Sequence, residues 1–583
     1  MAGKFSKSLA VIAIAVAIGV LAYVARRPTT IGSTSSERTS ANAKPVRGGE
    51  LVASLRSEPP THNRYVDRST AGEVLALLTH APLVRVNRVT DTLEPWLAQT
   101  WTESPDHLSF TLKLREGVSF SDGTPLTSAD VLFSFRALYD PRVRSPLASD
   151  TLVNGKPLQI EAPDPSTVIV RLPSLFAPGL RLVDGVPIFP RHRLERAFSE
   201  GTFNDAWSMK APVTELAGLG PFVLVEHASG ERLVLTRNPH YWHKDSAGTQ
   251  LPYLDKLTVV FASQVSEALK LQAGEIDLMT SADIRPDDYA GLKRAADQGR
   301  ARLIDGGFGP DPSLLWFNLT AAHAKEPVSQ LFHQKAFRQA LSCAIDRQAI
   351  ANTVYLGAAV PIYGPVTPAN RTWFADVRPA CEHDVARARE LFRAAGLMDR
   401  NGDGMLEDGS GRQARFSVLT QAENIRARVM AVLQEQLRQA GIVVDIVPLD
   451  PGSLLERFTK GNYEAIYFGI QSSATDPALS AGFWLSSGDW HFWNPEQKAP
   501  STDWERRIDD LMRQQSESSN LEERRRLFTE VQRIFADELP AIYLVTPKVT
   551  LAVSTRVVNP QPAPQVPQLL WSAESLAAAP VRR

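Results

Sequence analysis

Few residues of this 583-residue chain stand at the spacings that catalysis or metal binding demands. The eleven histidines are scattered, and no HExxH, GxSxG, P-loop or CxxC motif gathers a metal ligand, a nucleophile or a phosphate cradle. The nearest approach to a metal site is Asp399-Arg400-Asn401-Gly402-Asp403-Gly404, which offers oxygen donors at the first, third and fifth positions of a calcium loop and glycine at the sixth. Its twelfth position is Ser410, where a bidentate glutamate belongs, and no paired helix pattern follows; a plain turn is the expected reading. Cys343 and Cys381 are too few for a metal site by themselves. They are read as a disulfide, which an oxidising compartment permits, or with Cys343 as a buried free thiol. His192, in Pro190-Arg191-His192-Arg193-Leu194, is read as packing or a solvent-facing polar group. No metal and no cofactor is expected, and the chemistry left to the chain is binding.

The elements that would position a binding site are legible from periodicity. Leu108, Phe110, Leu112 and Leu114 alternate with Ser109, Thr111, Lys113 and Arg115, the pattern of a strand with one buried face. Glu116-Gly117 turns the chain, Val118 and Phe120 continue the apolar face, and Asp122-Gly123 marks a tight turn. Thr127 with Asp130 three residues later reads as a capping box, opening a helix whose buried stripe is Val131, Leu132, Phe135 and Leu138. A helix over 71–78 and a strand over 83–86 precede this stretch, and a strand pair over 158–162 and 167–172 follows it. Farther on, Ile425, Val429, Leu433 and Leu437 step by four, Gly441 ends that helix, and 442–449 is a near-continuous apolar strand. Strands at 463–471 and 540–545 flank a helix striped by Leu527, Phe528, Val531, Ile534 and Phe535. Helices alternating with apolar strands make an α/β fold.

As a string of residues, 94–135 resembles the signature of the family 5 extracellular solute-binding proteins, the dipeptide- and oligopeptide-binding components of bacterial ABC importers. That signature runs LAxxWxxSxDxxxxTFxLRxGVxFxDGxPxTAxDVxxSF, and Leu97, Ala98, Trp101, Ser104, Asp106, Phe110, Leu112, Leu114, Arg115, Gly117, Val118, Phe120, Asp122, Gly123, Pro125, Asp130 and Val131 fall into its register. Gly218-Leu219-Gly220-Pro221-Phe222 resembles the family's G-T-G-P-Y turn. Arg237-Asn238-Pro239-His240-Tyr241-Trp242, Pro252-Tyr253-Leu254-Asp255 and Leu271 with Gly274-Glu275-Ile276-Asp277 follow in the family's order. The resemblance covers about Gly48 to Trp571. It implies a periplasmic-binding-protein-like two-lobed α/β fold of class C, with an extra domain inserted in the first lobe. Residues 48–82, 209–312 and 537–583 would build lobe I, 83–208 the extra domain, and 313–536 lobe II.

The same resemblance implies which residues meet a ligand. The loop SEPPTHN after the first strand matches one that borders the cleft, pointing to Glu58 and Asn63, with Pro59 and Pro60 stiffening it. Peptide binders of the family place an aspartate after the strand that begins here at Tyr463, to pair with the ligand's amino terminus. The chain reads Gln471-Ser472-Ser473 there, with Ser473 at the matching position and Asp476 belonging to the following Asp-Pro. Serine supplies no charge-assisted bond. Arg426 and Arg428 read as surface charges on a helix, and the cluster Trp484, Trp490, His491, Phe492 and Trp493 reads as cleft lining, with Trp493 the chief candidate, or as packing. The implied function is capture of a peptide between lobes and its delivery to an inner-membrane ABC permease with its ATPase subunits. The alternative is a non-peptide solute such as an oligosaccharide, opine or metal chelate.

Composition agrees with a secreted monomer. Lys and Arg number 63 against 64 Asp and Glu, with no long run of either sign, which argues against a nucleic-acid partner. The chain exceeds the roughly 250 to 300 residues that one core spans. Lys4 and Lys7 precede an apolar run from Leu9 to Ala25 that ends at Arg26-Arg27-Pro28. Residues 1–28 read as an export element, either cleaved or kept as an inner-membrane tether through residues 9–25, and 29–47 as a flexible linker. The expected location is periplasmic.

Overall fold

The reciprocal cap at Thr127 forms as its residues dictate: Asp130 Oδ2 accepts from the Thr127 amide at 2.9 Å and opens the helix Ser128–Tyr139. Val131, Phe135 and Leu138 are buried, but Leu132 is 41% exposed and Phe133 takes the buried place. The expected single stripe gives way because this helix is covered on two sides. Phe133 packs edge-on against Phe198, and only the narrow face of Leu132 and Arg136 meets solvent. The computed structural model describes residues 44–579, apart from 282–283, 324–325, 423, 470–474 and 496. From Pro45 onward these form one compact unit. Among the described residues no helix is long and apolar enough to cross a membrane; the run from Leu9 to Ala25 lies outside them.

Three sheets carry the chain. The largest is eight-stranded, and its strand Glu50–Leu55 lies parallel to Lys256–Phe261 on one side and to Leu278–Met279 on the other. A five-stranded sheet runs in the order Val443–Leu449, Arg415–Gln421, Ala465–Phe468, Leu314–Phe317, Ala541–Tyr543, with the first three strands parallel. The strand Val443–Leu449, expected to be buried, is instead an edge whose Asp445 pairs with Arg415 at 2.6 Å on the outside. A four-stranded antiparallel sheet built on Ser109–Leu114 forms a separate core with the helix Ser128–Tyr139.

The chain passes between the two larger sheets more than once. Ala301–Phe308 belongs to the eight-stranded sheet and Leu314–Phe317 to the five-stranded one, while Ala541–Tyr543 and Val545–Ser554 make the return across the single residue Leu544. Cys343 and Cys381 are joined as a disulfide. The Asp399 loop is a turn between Met398 and Glu407, and both Asp399 carboxylate oxygens accept from its own backbone, at Gly402 and Gly404.

Gly218 and Gly220 are needed for close approach rather than for flexibility. A Cβ on Gly218 would lie 1.9 Å from the Thr79 carbonyl oxygen, and one on Gly220 would lie 2.5 Å from the Thr79 carbonyl carbon. We expect Gly220→Ala to destabilise the protein by about 2 to 3 kcal/mol through this backbone clash, read as a lower urea midpoint with an unchanged slope.

Candidate functional site

In open α/β sheets, ligands lie outside the carboxyl ends of parallel strands, where side chains and free backbone groups converge. Here the eight-stranded sheet presents Arg56, Ala262 and Thr280 just past such ends, and the five-stranded sheet presents Ala422, Asp450 and Gly469. The helices that come next in the chain meet: Arg428 on Asn424–Gln439 lies 3.5 Å from Asp287 on Pro286–Asp297. This contact links the strand ends of the two sheets, and the space between those ends is the candidate crevice.

On the side of the eight-stranded sheet, Glu267 is fully buried and accepts from Ser54 Oγ at 2.7 Å and Arg56 Nε at 2.8 Å. The loop after Arg56 is fastened at both ends. Glu58 accepts from His227 Nε2 at 2.8 Å and from the Gly230 amide at 3.1 Å, and His227 Nδ1 lies 2.7 Å from His62 Nε2. Asn63 is buried; its amide donates to the Phe203 carbonyl at 2.9 Å while its oxygen accepts from the Tyr65 amide at 3.1 Å. The chain of groups from Glu58 through His227 to His62 fastens this loop.

On the opposite side, Arg426 stacks over Phe468 at 4.4 Å and donates to Gln421 Oε1. It is held beside the ends of two parallel strands rather than waving in solvent. Asp476 is buried and paired with Arg524 at 2.6 Å, and the Arg524 guanidinium lies 4.9 Å over Trp373. Its negative charge is already answered from within the protein. Across from it, Asp91 pairs with Arg181 at 2.7 Å. Burial raises the Asp91 carboxyl above its ordinary value, Arg181 opposes that rise, and the neighbouring Asp476 adds to it.

Glu58 and Asn63 thus lie at the two ends of one loop beside the crevice, Glu58 partly exposed and Asn63 committed to the backbone. Trp493 stands apart from them: 1% exposed, it sits among Phe483, His491 and Phe535 in the core of the five-stranded sheet. Gln471, Ser472 and Ser473 lie outside the described residues. Sequence reasoning missed His62 with His227 and Asp91 with Arg181, because each pair joins residues far apart in the chain. Only the crossing of strands shows them as neighbours.

Contacts across the crevice rim come from several elements. The Ala177 amide donates to the Ser516 carbonyl at 2.6 Å, Asp91 faces Thr372, and Leu479 packs against the core under the four-stranded sheet. A site built this way offers backbone edges, a guanidinium and aromatic faces between the strand ends of two sheets. Its chemistry is recognition.

His62 and His80 are buried and both are lowered to about 4, His80 by burial and His62 by burial together with the neighbouring His227. A histidine held below its unfolded value is neutral in the fold, so its contribution is complete above about 6.5 and is lost as pH falls toward about 4. We expect unfolding free energy to decline between pH 6.5 and 5, above the carboxylate range, by at most about 1.4 kcal/mol per unit for each histidine. Urea titrations of the protein and of His80→Asn check this, the variant losing part of the slope.

Comparison with known proteins agrees with this geometry. Residues 92–492 match the family described as bacterial extracellular solute-binding proteins, family 5. A probable ABC transporter-binding protein of Deinococcus radiodurans is 26% identical over 545 residues, covering 90% of this chain and 91% of that protein. The oligopeptide-binding protein AppA of Bacillus subtilis is 26% identical over 438 residues, covering 74% of this chain and 75% of AppA. The crystal structure of AppA with a nonapeptide superposes with a TM-score of 0.68 at 22% identity, covering 92% of this chain and 100% of AppA, a likeness of fold.

Proposed function

Because the chain belongs to the bacterial extracellular solute-binding proteins of family 5, whose members work outside the cytoplasm with ABC permeases, we propose that it captures di- and oligopeptides in the crevice described above. It then delivers them, as a monomer, to an inner-membrane permease with its ATPase subunits. Residues 1–28 would export the chain or tether it through residues 9–25. In this reading 48–82, 209–312 and 537–583 form one lobe, with the return crossing at Leu544; 83–208 form the inserted domain and 313–536 the other lobe. Support comes from the separate cores under the three sheets.

The observation that carries the proposal is the pair of rim contacts, Arg428 with Asp287 and Ala177 with Ser516, made between three helices and a turn that connect strands of different sheets. A ligand touching both surfaces stabilises the closed form in proportion to its preference for it. Exposed strand-end backbone can pair with a peptide's main chain whatever its side chains, and water in side pockets tolerates variety. Glu58, Gln471, Ser472 and Ser473 are proposed as the ligand's surroundings, with Asn63 acting through the loop it shapes and Trp493 through the core packing behind the surface.

A second reading, a non-peptide solute, is favoured by one feature. The carboxylate nearest to the family's amine-binding position in sequence, Asp476, is neutralised by Arg524. Thermal-shift panels separate the two, because a bound ligand adds RT ln(1 + [L]/Kd) to stability. We expect mixtures of short peptides to raise the melting temperature and simple sugars to leave it unchanged; the reverse pattern overturns the peptide reading. Arg428→Glu should weaken peptide binding about twofold to fivefold, as for an exposed ion pair. The double variant with Asp287→Lys should recover it, both read by calorimetry at low salt.

A further inference from the structure

From Ile362 to Asp384 the chain has neither helix nor strand, a long irregular stretch for a compact protein. It is nonetheless fixed at a series of places, and those places are the moving parts. The Ile362 amide donates to the Leu544 carbonyl at 3.1 Å, on the single residue between the two sheets. Thr367 Oγ1 donates to the Gly309 carbonyl at 2.8 Å, on the other crossing. Asn370 Nδ2 donates to the Thr475 carbonyl at 3.0 Å, just beyond the Gln471-Ser472-Ser473 segment. Thr372 faces Asp91, across the rim. Trp373 lies under Arg524, whose partner is Asp476. One strap therefore touches both crossings, the Thr475 carbonyl and, through Thr372, Asp91.

Its far end is held by covalent chemistry. Cys381 is bonded to Cys343, which is fully buried in the helix Lys335–Ala344, and the Asp384 amide donates to the Cys343 carbonyl at 2.9 Å. Nearest the bond, Arg378 pairs with Glu382 at 3.2 Å with both side chains about half exposed, and Tyr363 OH donates to Glu382 at 3.1 Å, while farther along the buried Gln532 donates to the Trp373 carbonyl at 2.8 Å and accepts from the Ala375 amide at 3.3 Å. Surface pairs of that kind hold a loop weakly. The disulfide is the strong fixture at this end, because it removes conformations from the strap that the neighbouring hydrogen bonds do not.

We propose that the Cys343–Cys381 disulfide is the anchor that keeps the strap 362–384 in its binding position, so that ligand capture in the crevice depends on the oxidised state of this pair. The proposal rests on the peptide reading above for its ligand, but not for its anchor. Reduction by a dithiol breaks the Sγ–Sγ bond, leaves two thiols on the protein and converts the reductant to its own disulfide. The freed strap then samples positions from which Asn370 and Thr372 no longer meet Thr475 and Asp91. Where ordering occurs in only a fraction of molecules, apparent affinity falls by that fraction.

The test compares oxidised full-length protein, the same protein after dithiothreitol, and the double variant Cys343→Ala, Cys381→Ala. Hydrogen–deuterium exchange is followed by mass spectrometry, and binding of a random hexapeptide mixture by calorimetry. We expect reduction to speed exchange over 362–384 and at 309–313 while the strands Glu50–Leu55 and Lys256–Phe261 keep their protection, and half-saturation to move up about tenfold. Unchanged exchange in the strap overturns the proposal. So does a loosened strap with unaltered peptide affinity, or exchange that rises across those strands too, since the bond would then hold the whole fold. If the oxidised protein binds no peptide, the peptide reading fails by itself, and the exchange measurement still decides the anchor.

Discussion

The carbonyl oxygen of Gly309 accepts hydrogen bonds from Thr367 Oγ1 and Thr546 Oγ1, while its amide donates to the Pro547 carbonyl at 2.8 Å. Gly309 thus ties together the stretch leaving the eight-stranded sheet, the stretch returning to it and the strap between them. Much else follows from the knot. Two sheets with separate cores can change their mutual angle only about the residues between them, and those residues are held in a fixed bundle. A buried backbone carbonyl with two donors is costly to strip, so rotation is favoured over separation.

Around this bundle four acidic side chains among the described residues are each paired within the protein. Asp91 has Arg181, Asp476 has Arg524, Glu267 has Arg56 and Glu58 has His227. Each pair is internal to its own surface, so opening the crevice leaves no unpaired buried charge behind, and the cost of opening stays small. Among the described residues, the contacts that span the rim include a backbone hydrogen bond, an exposed ion pair, the hydrogen bond between Thr372 and Asp91 and the packing of Leu479. These are weak individually, which suits a protein whose ligand must decide between open and closed.

How much of this could be read from residues alone follows a physical division. Local rules were enough for the Thr127 cap and for the stripe of Leu527, Phe528, Val531 and Phe535, because each depends on neighbours in sequence, whereas Gly218 and Gly220 approach Thr79, which is far off in the chain. The family signature carried the fold class. Leu132 was misplaced because periodicity assumes one buried face, and its helix has two. The pairing of Cys343 with Cys381 stayed open because connectivity depends on geometry, and here the turn before Asp384 brings Cys381 back to the helix. Asn63 shows the limit most clearly: its place in the loop was legible, but that it serves the backbone of residues 203 and 65 was not.

The central claim is that two surfaces swing together about the Gly309 bundle when a ligand arrives. Pulsed electron resonance between spin labels at Leu175 and Glu517, which flank the Ala177 and Ser516 contact, reads that movement directly. The account predicts a broad distribution of longer distances in ligand-free protein that gathers into one short distance when the bound ligand saturates. A single short distance in both conditions, or a broad one that the ligand leaves unchanged, would contradict it.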